Sequence, residues 1–106
     1  MQEITQKAAL YFSSKPVKKA YIFGSLARNE YRIDSDVDIL VDLDYEAGAD
    51  YFVFMEMQEE LSELLQTKVD LVSSNGLSKF IKPIIEKEKK LIYENDFVLK
   101  PVMLSH

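Results

Sequence analysis

A chain of 106 residues, 47% of them hydrophobic, suffices for one compact core and is too short for two. Its formal net charge of −5 argues against bulk binding to DNA or RNA, which needs a basic face, but leaves room for a nucleotide held by a few local donors. Cysteine is absent, which excludes disulfides, zinc–thiolate sites and thiol nucleophiles, and the one histidine, His106, is the last residue. Any chemistry therefore rests on carboxylates. No apolar run reaches the length of about 18 residues that spans a bilayer. The opening MQEITQKAALYF carries an acid and no basic-then-apolar pattern, so a signal peptide is not expected and a cytoplasmic location is.

Ile4, Ala8 and Tyr11–Phe12 recur at helical spacing, which predicts a first helix over 2–13. Ser13-Ser14-Lys15-Pro16 ends it. Val17–Phe23 is rich in β-formers and reads as a strand, broken by Gly24-Ser25. Ser25 suits an N-cap, and Leu26-Ala27-Arg28 suit a short helix. After a polar segment, Val37–Leu43 reads as a second strand in which Val37, Ile39, Val41 and Leu43 alternate with Asp38, Leu40 and Asp42. Tyr45–Asp50 is an acidic loop, and Asp50 is placed to cap an amphipathic helix over 51–66 with Phe54, Met57, Leu61 and Leu65 on one face. Residues 68–73 form a short third strand holding Asp70. A turn at Ser73–Gly76 leads to a largely helical stretch over 77–90, with Pro83 tolerated near a helix start or at a kink. Leu91–Tyr93 reads as a last strand, and the tail from Asn95 to His106 has no clear pattern. Strands alternating with helices predict an α/β (α+β) domain: a small mixed sheet flanked by helices over 1–94, then a tail over 95–106 that is disordered or docks on a partner.

The segment FGSLARNEYRIDSDVDILVDLD concentrates the chemistry. Alternate strand residues lie on one face with backbones roughly 6.5–7 Å apart, so Asp36 and Asp38 converge. Two adjacent carboxylates raise each other's pKa unless a cation lies between them. Divalent-metal binding is the chemistry that wants such a pair, because Mg²⁺ takes hard oxygen ligands and completes its shell with substrate phosphate oxygens. Two such ions can clamp the attacking and leaving oxygens of a phosphoryl transfer. Gly24-Ser25 follows a strand and opens a helix, a place where the backbone can approach a phosphate closely. Arg28, one turn on, suits phosphate or a nearby Asp. Asp70 completes a metal-binding triad if its strand lies beside Val37–Leu43.

Gly24-Ser25, ten residues, then Asp36-x-Asp38 resembles the signature of the DNA polymerase beta-like nucleotidyltransferases. The fuller string GSLARNEYRIDSDVDILV is similar to the minimal nucleotidyltransferases (MNT), many of which are antitoxins encoded beside HEPN-domain toxins. Asn29 departs from the pattern, where many relatives have Gly. The resemblance implies the polymerase beta palm-like fold. It implies that Asp36 and Asp38 hold two Mg²⁺ ions and that Asp70 completes the catalytic metal site and helps deprotonate the incoming hydroxyl. Gly24 and Ser25 would bind the β,γ-phosphates. In the antitoxin branch ATP is the donor, a tyrosine of the HEPN toxin the acceptor, and an adenylylated, silenced toxin the product.

Plainer readings stand beside these. The two aspartates could be solvent-facing residues of an edge strand, and Gly24-Ser25 only a turn and cap. Arg28 could make a structural ion pair, and Ser35 could order the loop before Asp36 instead of touching nucleotide. Asp42 and Asp44 read as solvated. The aromatics of Tyr51–Phe54 read as core and helix start before a base-stacking platform, and Lys79, Lys82, Lys87, Lys89 and Lys90 as a solvated face before a partner contact. Val98, Leu99, Val102, Met103 and Leu104 could dock on the domain or on a partner. Two rival functions follow: a non-catalytic module that neutralises a toxin by binding it or a nucleotide, and the nucleotidyltransferase subunit of a small-molecule modifying enzyme. The sequence leaves a homo- or hetero-oligomer open.

Overall fold

A computed structural model describes residues 2–32 and 34–95. The elements in chain order are α1 (Gln2–Phe12), β1 (Val17–Phe23), α2 (Gly24–Ala27), β2 (Val37–Leu43), α3 (Tyr51–Leu65), β3 (Val69–Ser73), α4 (Lys82–Glu88) and β4 (Lys90–Glu94), with 3-10 turns at Tyr45–Ala47 and Ser74–Gly76. The four strands form one sheet in the order β3-β2-β1-β4. β1 runs antiparallel to β2 and β4, while β2 and β3 are parallel and are joined through α3. This is the small mixed sheet with flanking helices that the sequence predicts. His106 and the apolar tail residues Val98, Leu99, Val102, Met103 and Leu104 lie outside the described residues.

The core follows from the two periodicities. Val37, Ile39 and Val41 on one face of β2 are fully buried. Leu40 on the other face is also buried, which marks β2 as an inner strand covered on both sides. Ala8 and Phe12 of α1 and Met57 and Leu61 of α3 close over the first face. The Tyr11 hydroxyl donates to Glu60, whose Oε1 also lies 3.3 Å from Lys15 Nζ. Burial pushes the Tyr11 hydroxyl pKa well up, and the Glu60 carboxylate beside it pushes the same way. Asp50 caps α3 as expected, its Oδ1 accepting from Val53 N–H at 2.8 Å.

Two expectations need correction. The last helix begins at Lys82 instead of residue 77, with Pro83 in its first turn. Proline lacks an N–H and clashes with the preceding turn, so an α-helix starting at 77 could not have run through it unbroken. Tyr51 and Phe52 are exposed at the start of α3, while Val53 and Phe54 pack against the core. Four consecutive helical positions span more than one face, so a run of four apolar residues cannot all point inward.

Leu61→Ala is expected to lower the unfolding free energy by about 3 kcal/mol, because Leu61 is fully buried. Leu64→Ala, at a 41% exposed position of the same helix, is expected to cost about 1 kcal/mol or less. Urea denaturation of both variants checks the difference.

Candidate active site

Strand register brings the predicted residues to one end of the sheet. Phe23 of β1 lies opposite Asp38 of β2, and Asp38 lies beside Asp70 of β3. With strands about 4.8 Å apart, the Gly24 turn, Asp38 and Asp70 occupy neighbouring positions across three strands. Asp36 precedes β2 at the same end.

Gly24 leaves the sheet at φ +70°, a conformation that disfavours a side chain. A Cβ here would also overlap Asp38 Oδ2 and lie 3.1 Å from Asp38 Cγ. The turn is therefore glycine for two reasons, and the second is the Asp38 carboxylate itself. α2 is anchored by Leu26 and Ala27, both buried. Ser25 is not its N-cap: Phe23 holds that position in extended conformation, with no side-chain cap bond. The reason is that Gly24 already takes part in the helix, which moves the cap two residues back, from Ser25 to Phe23 in β1.

Asp38 is half-buried, and its carboxyl pKa is pushed up to about 6. Burial is the main cause, with Asp70, Asp36 and Glu88 adding repulsion and Arg28 opposing it. Asp70 is exposed. Asp36 is exposed too, with Oδ2 at 3.8 Å from Lys68 Nζ; both side chains face water, so this pair holds little. Ser35 orders its loop: its Oγ accepts from Arg32 N–H at 3.1 Å, and its own N–H donates to Arg32 O at 2.9 Å.

Arg28 pairs with glutamates rather than with an Asp. Its Nε donates to Glu30 Oε1 at 3.0 Å and an Nη to Glu88 Oε1 at 3.1 Å. These hydrogen bonds, Glu30 first, push the guanidinium pKa further up. Glu88 is the site residue that sequence reading missed. It comes from the last turn of α4, and its Oε2 accepts from Gly24 N–H at 2.6 Å. One signal was available. An acid at a helix C-terminus faces the negative end of the helix dipole and needs donors from elsewhere.

Among the described residues no three acidic or histidine side chains stand close enough to enclose an ion. Mg²⁺ does not require such a cage, since it binds through one or two carboxylates and fills its shell with water and phosphate oxygens. The donor set suits Mg²⁺ on that basis. It offers hard oxygens only, and Asp38 carries unrelieved repulsion that a cation would relieve. A cavity of about 370 Å³, lined by Leu43, Tyr45, Tyr51, Phe54 and Asn75 among others, lies at the opposite end of β2, away from these acids.

A mixed sheet with a glycine turn and carboxylates gathered at one edge defines a class of small α/β domain organised around an acidic, oxygen-rich site. Residues 6–97 match the family model for polymerase beta nucleotidyltransferases, and the chain belongs to that family. It is 49% identical over 78 residues to a candidate protein adenylyltransferase of Methanocaldococcus jannaschii, covering 73% of this chain and 76% of that protein. It is 40% identical over 72 residues to the protein adenylyltransferase MntA of Thermococcus cleftensis, covering 68% and 71%. The fold also matches a chain in the structure of a tri-AMPylated Shewanella oneidensis HEPN toxin in complex with MNT antitoxin, with a TM-score of 0.64, 19% identity and coverage of 94% and 78%.

The raised Asp38 pKa fixes the sign of a pH effect. The folded protein holds this proton more tightly than the unfolded chain, so stability falls as pH rises from about 4 towards 6. Asp38→Asn is expected to raise the melting temperature by a few degrees at pH 7.5 in EDTA and to change it much less at pH 4, where Asp38 is protonated in the folded state and about half protonated in the unfolded chain. Thermal denaturation at the two pH values checks this.

Proposed function

We propose that this protein is a Mg²⁺-dependent adenylyltransferase that moves AMP from ATP to a hydroxyl, a tyrosine's, on a HEPN-domain toxin, and so acts as a cytoplasmic antitoxin. The observation that carries the reading is the register of Gly24, Asp38 and Asp70 at one sheet edge. Its support from outside is the identity with protein adenylyltransferases. Among the described residues no helix is long and apolar enough to cross a membrane.

Asp36 and Asp38 would hold the ions, with Asp70 completing the set. Bound there, Mg²⁺ supplies charge stabilisation at the phosphates of ATP. The chain's own residues do the rest. Gly24, lacking a side chain, lets the polyphosphate approach the backbone, and Ser25 offers a hydroxyl beside it. Arg28 presents a charged fork suited to phosphate oxygens. Asp70, exposed at the edge of β3, is open to an incoming hydroxyl and would take its proton. The acceptor oxygen attacks the α-phosphate, and the bond to the pyrophosphate leaving group breaks. Arg28 and the Gly24-Ser25 turn bind that leaving group.

Incubation of the protein with a HEPN-domain toxin, ATP and Mg²⁺ is expected to add AMP to the toxin by intact mass. Asp38→Asn, which keeps the fold, is expected to reduce the rate by about 10³-fold or more. A toxin neutralised without any added AMP, equally well by the variant, would instead support a binding module.

A further inference from the structure

Glu88 stands on the donors that the proposed function assigns to phosphate. Its two carboxylate oxygens take the Gly24 N–H at 2.6 Å and an Arg28 Nη at 3.1 Å. A phosphate group placed beside this turn would need the same two donors, and a carboxylate presents the same paired, negatively charged oxygens. Glu88 also lies near enough to Asp38 to raise its pKa. It is thus a fourth acid at an edge that already carries three, where it adds repulsion.

The element that carries it is weakly held. Within α4 only Ile85 is buried, while Phe80 and Ile81 before it and Ile84 within it are exposed. A seven-residue helix with one anchoring side chain belongs to the parts of a fold that shift or open at small cost. Lys89, next in sequence, holds the outer side of the junction through Glu86 and the Tyr21 ring. The Glu88 side chain is 20% exposed, so water and solutes reach it.

We infer that Glu88 is a built-in competitor for the nucleotide's phosphates: in the free protein it occupies Gly24 N–H and Arg28, and a nucleoside triphosphate binds by displacing it, with α4 moving aside. The inference rests on the reading that the Gly24 turn is the triphosphate site. It makes Glu88 an affinity-determining residue of that site and ties nucleotide binding to the position of α4. Removing the competitor frees both donors before the ligand arrives, so the ligand no longer works against a charge-assisted hydrogen-bonded pair.

The test is calorimetric titration of the whole protein with AMP-PNP and Mg²⁺, using wild type, Glu88→Ala, Glu88→Gln and Gly24→Ala. Glu88→Ala is expected to bind about tenfold tighter than wild type. Glu88→Gln, which keeps the shape and loses the charge, is expected to fall between them. Circular dichroism melts establish that each variant is folded. Since Glu88→Gln preserves the packing, it keeps the question decidable if the alanine variant is unstable. The amide proton resonance of Gly24 is expected to move upfield in Glu88→Ala as the bond to the carboxylate is lost. If Glu88 merely braces the site, both Glu88 variants bind more weakly or unchanged, and the inference is overturned. If wild type binds AMP-PNP, Gly24→Ala loses it and the Glu88 variants gain nothing, the triphosphate reading survives and the competitor does not. If no variant binds, or Gly24→Ala binds as well as wild type, the site itself is wrong and both fall.

Discussion

The structure turns on one carboxylate. Asp38 sits half-buried on an inner strand, with Phe23 opposite it on one side and Asp70 beside it on the other. A charge in that position is costly, and three further acids raise the cost. Much of the local architecture is arranged around it. Gly24 must lack a side chain because the Asp38 carboxylate fills the space a Cβ would take. The turn there lets β1 end where β2 presents its acid. The inner face of β2, with Val37, Ile39 and Val41 locked under α1 and α3, keeps the register from slipping. A slip of one residue would turn every acid of this strand into the core. The hydrophobic core is thus what fixes the acidic edge in place.

That arrangement explains why a protein with a half-buried acid gains nothing in stability from it. Burial first and the neighbouring acids second raise the Asp38 pKa, and a bound cation with its nucleotide would offset the repulsive part. Function and stability pull in opposite directions at this edge, as they commonly do where a site is prepared for a charged ligand. Glu88 fits the same picture. Its placement at the end of α4 meets the needs of Gly24 N–H and Arg28 in the free protein and leaves both able to exchange partners.

Most of the fold was readable from sequence because its signals are local. Val17–Phe23 is rich in β-formers, Val37, Ile39, Val41 and Leu43 recur at every second position, and Asp50 stands just ahead of an apolar helical stripe. The Gly24-Ser25 to Asp36-x-Asp38 spacing pointed to the family. What escaped was decided partly by packing across long sequence separations and partly by local backbone geometry at the Gly24 turn. Glu88 meets Gly24 across 64 residues; its place at a helix C-terminus signals a need for donors from elsewhere but does not name Gly24 as one. Ser25 looked like a cap from composition alone, but the helix starts at Gly24, which puts the cap at Phe23. Arg28, read as suited to phosphate or a nearby Asp, pairs in the structure with Glu30 two residues on and with Glu88 sixty residues away.

The central claim is that the edge holding Asp38 is where nucleotide and divalent ion meet. Anomalous diffraction from a crystal grown with AMP-PNP and Mn²⁺ in place of Mg²⁺ tests it most directly. The account predicts an anomalous peak touching the Asp38 carboxylate, with the triphosphate running past Gly24 and Glu88 moved off Gly24 N–H. A nucleotide seated in the aromatic cavity by Tyr45 and Tyr51, or an ion remote from Asp38, would contradict it.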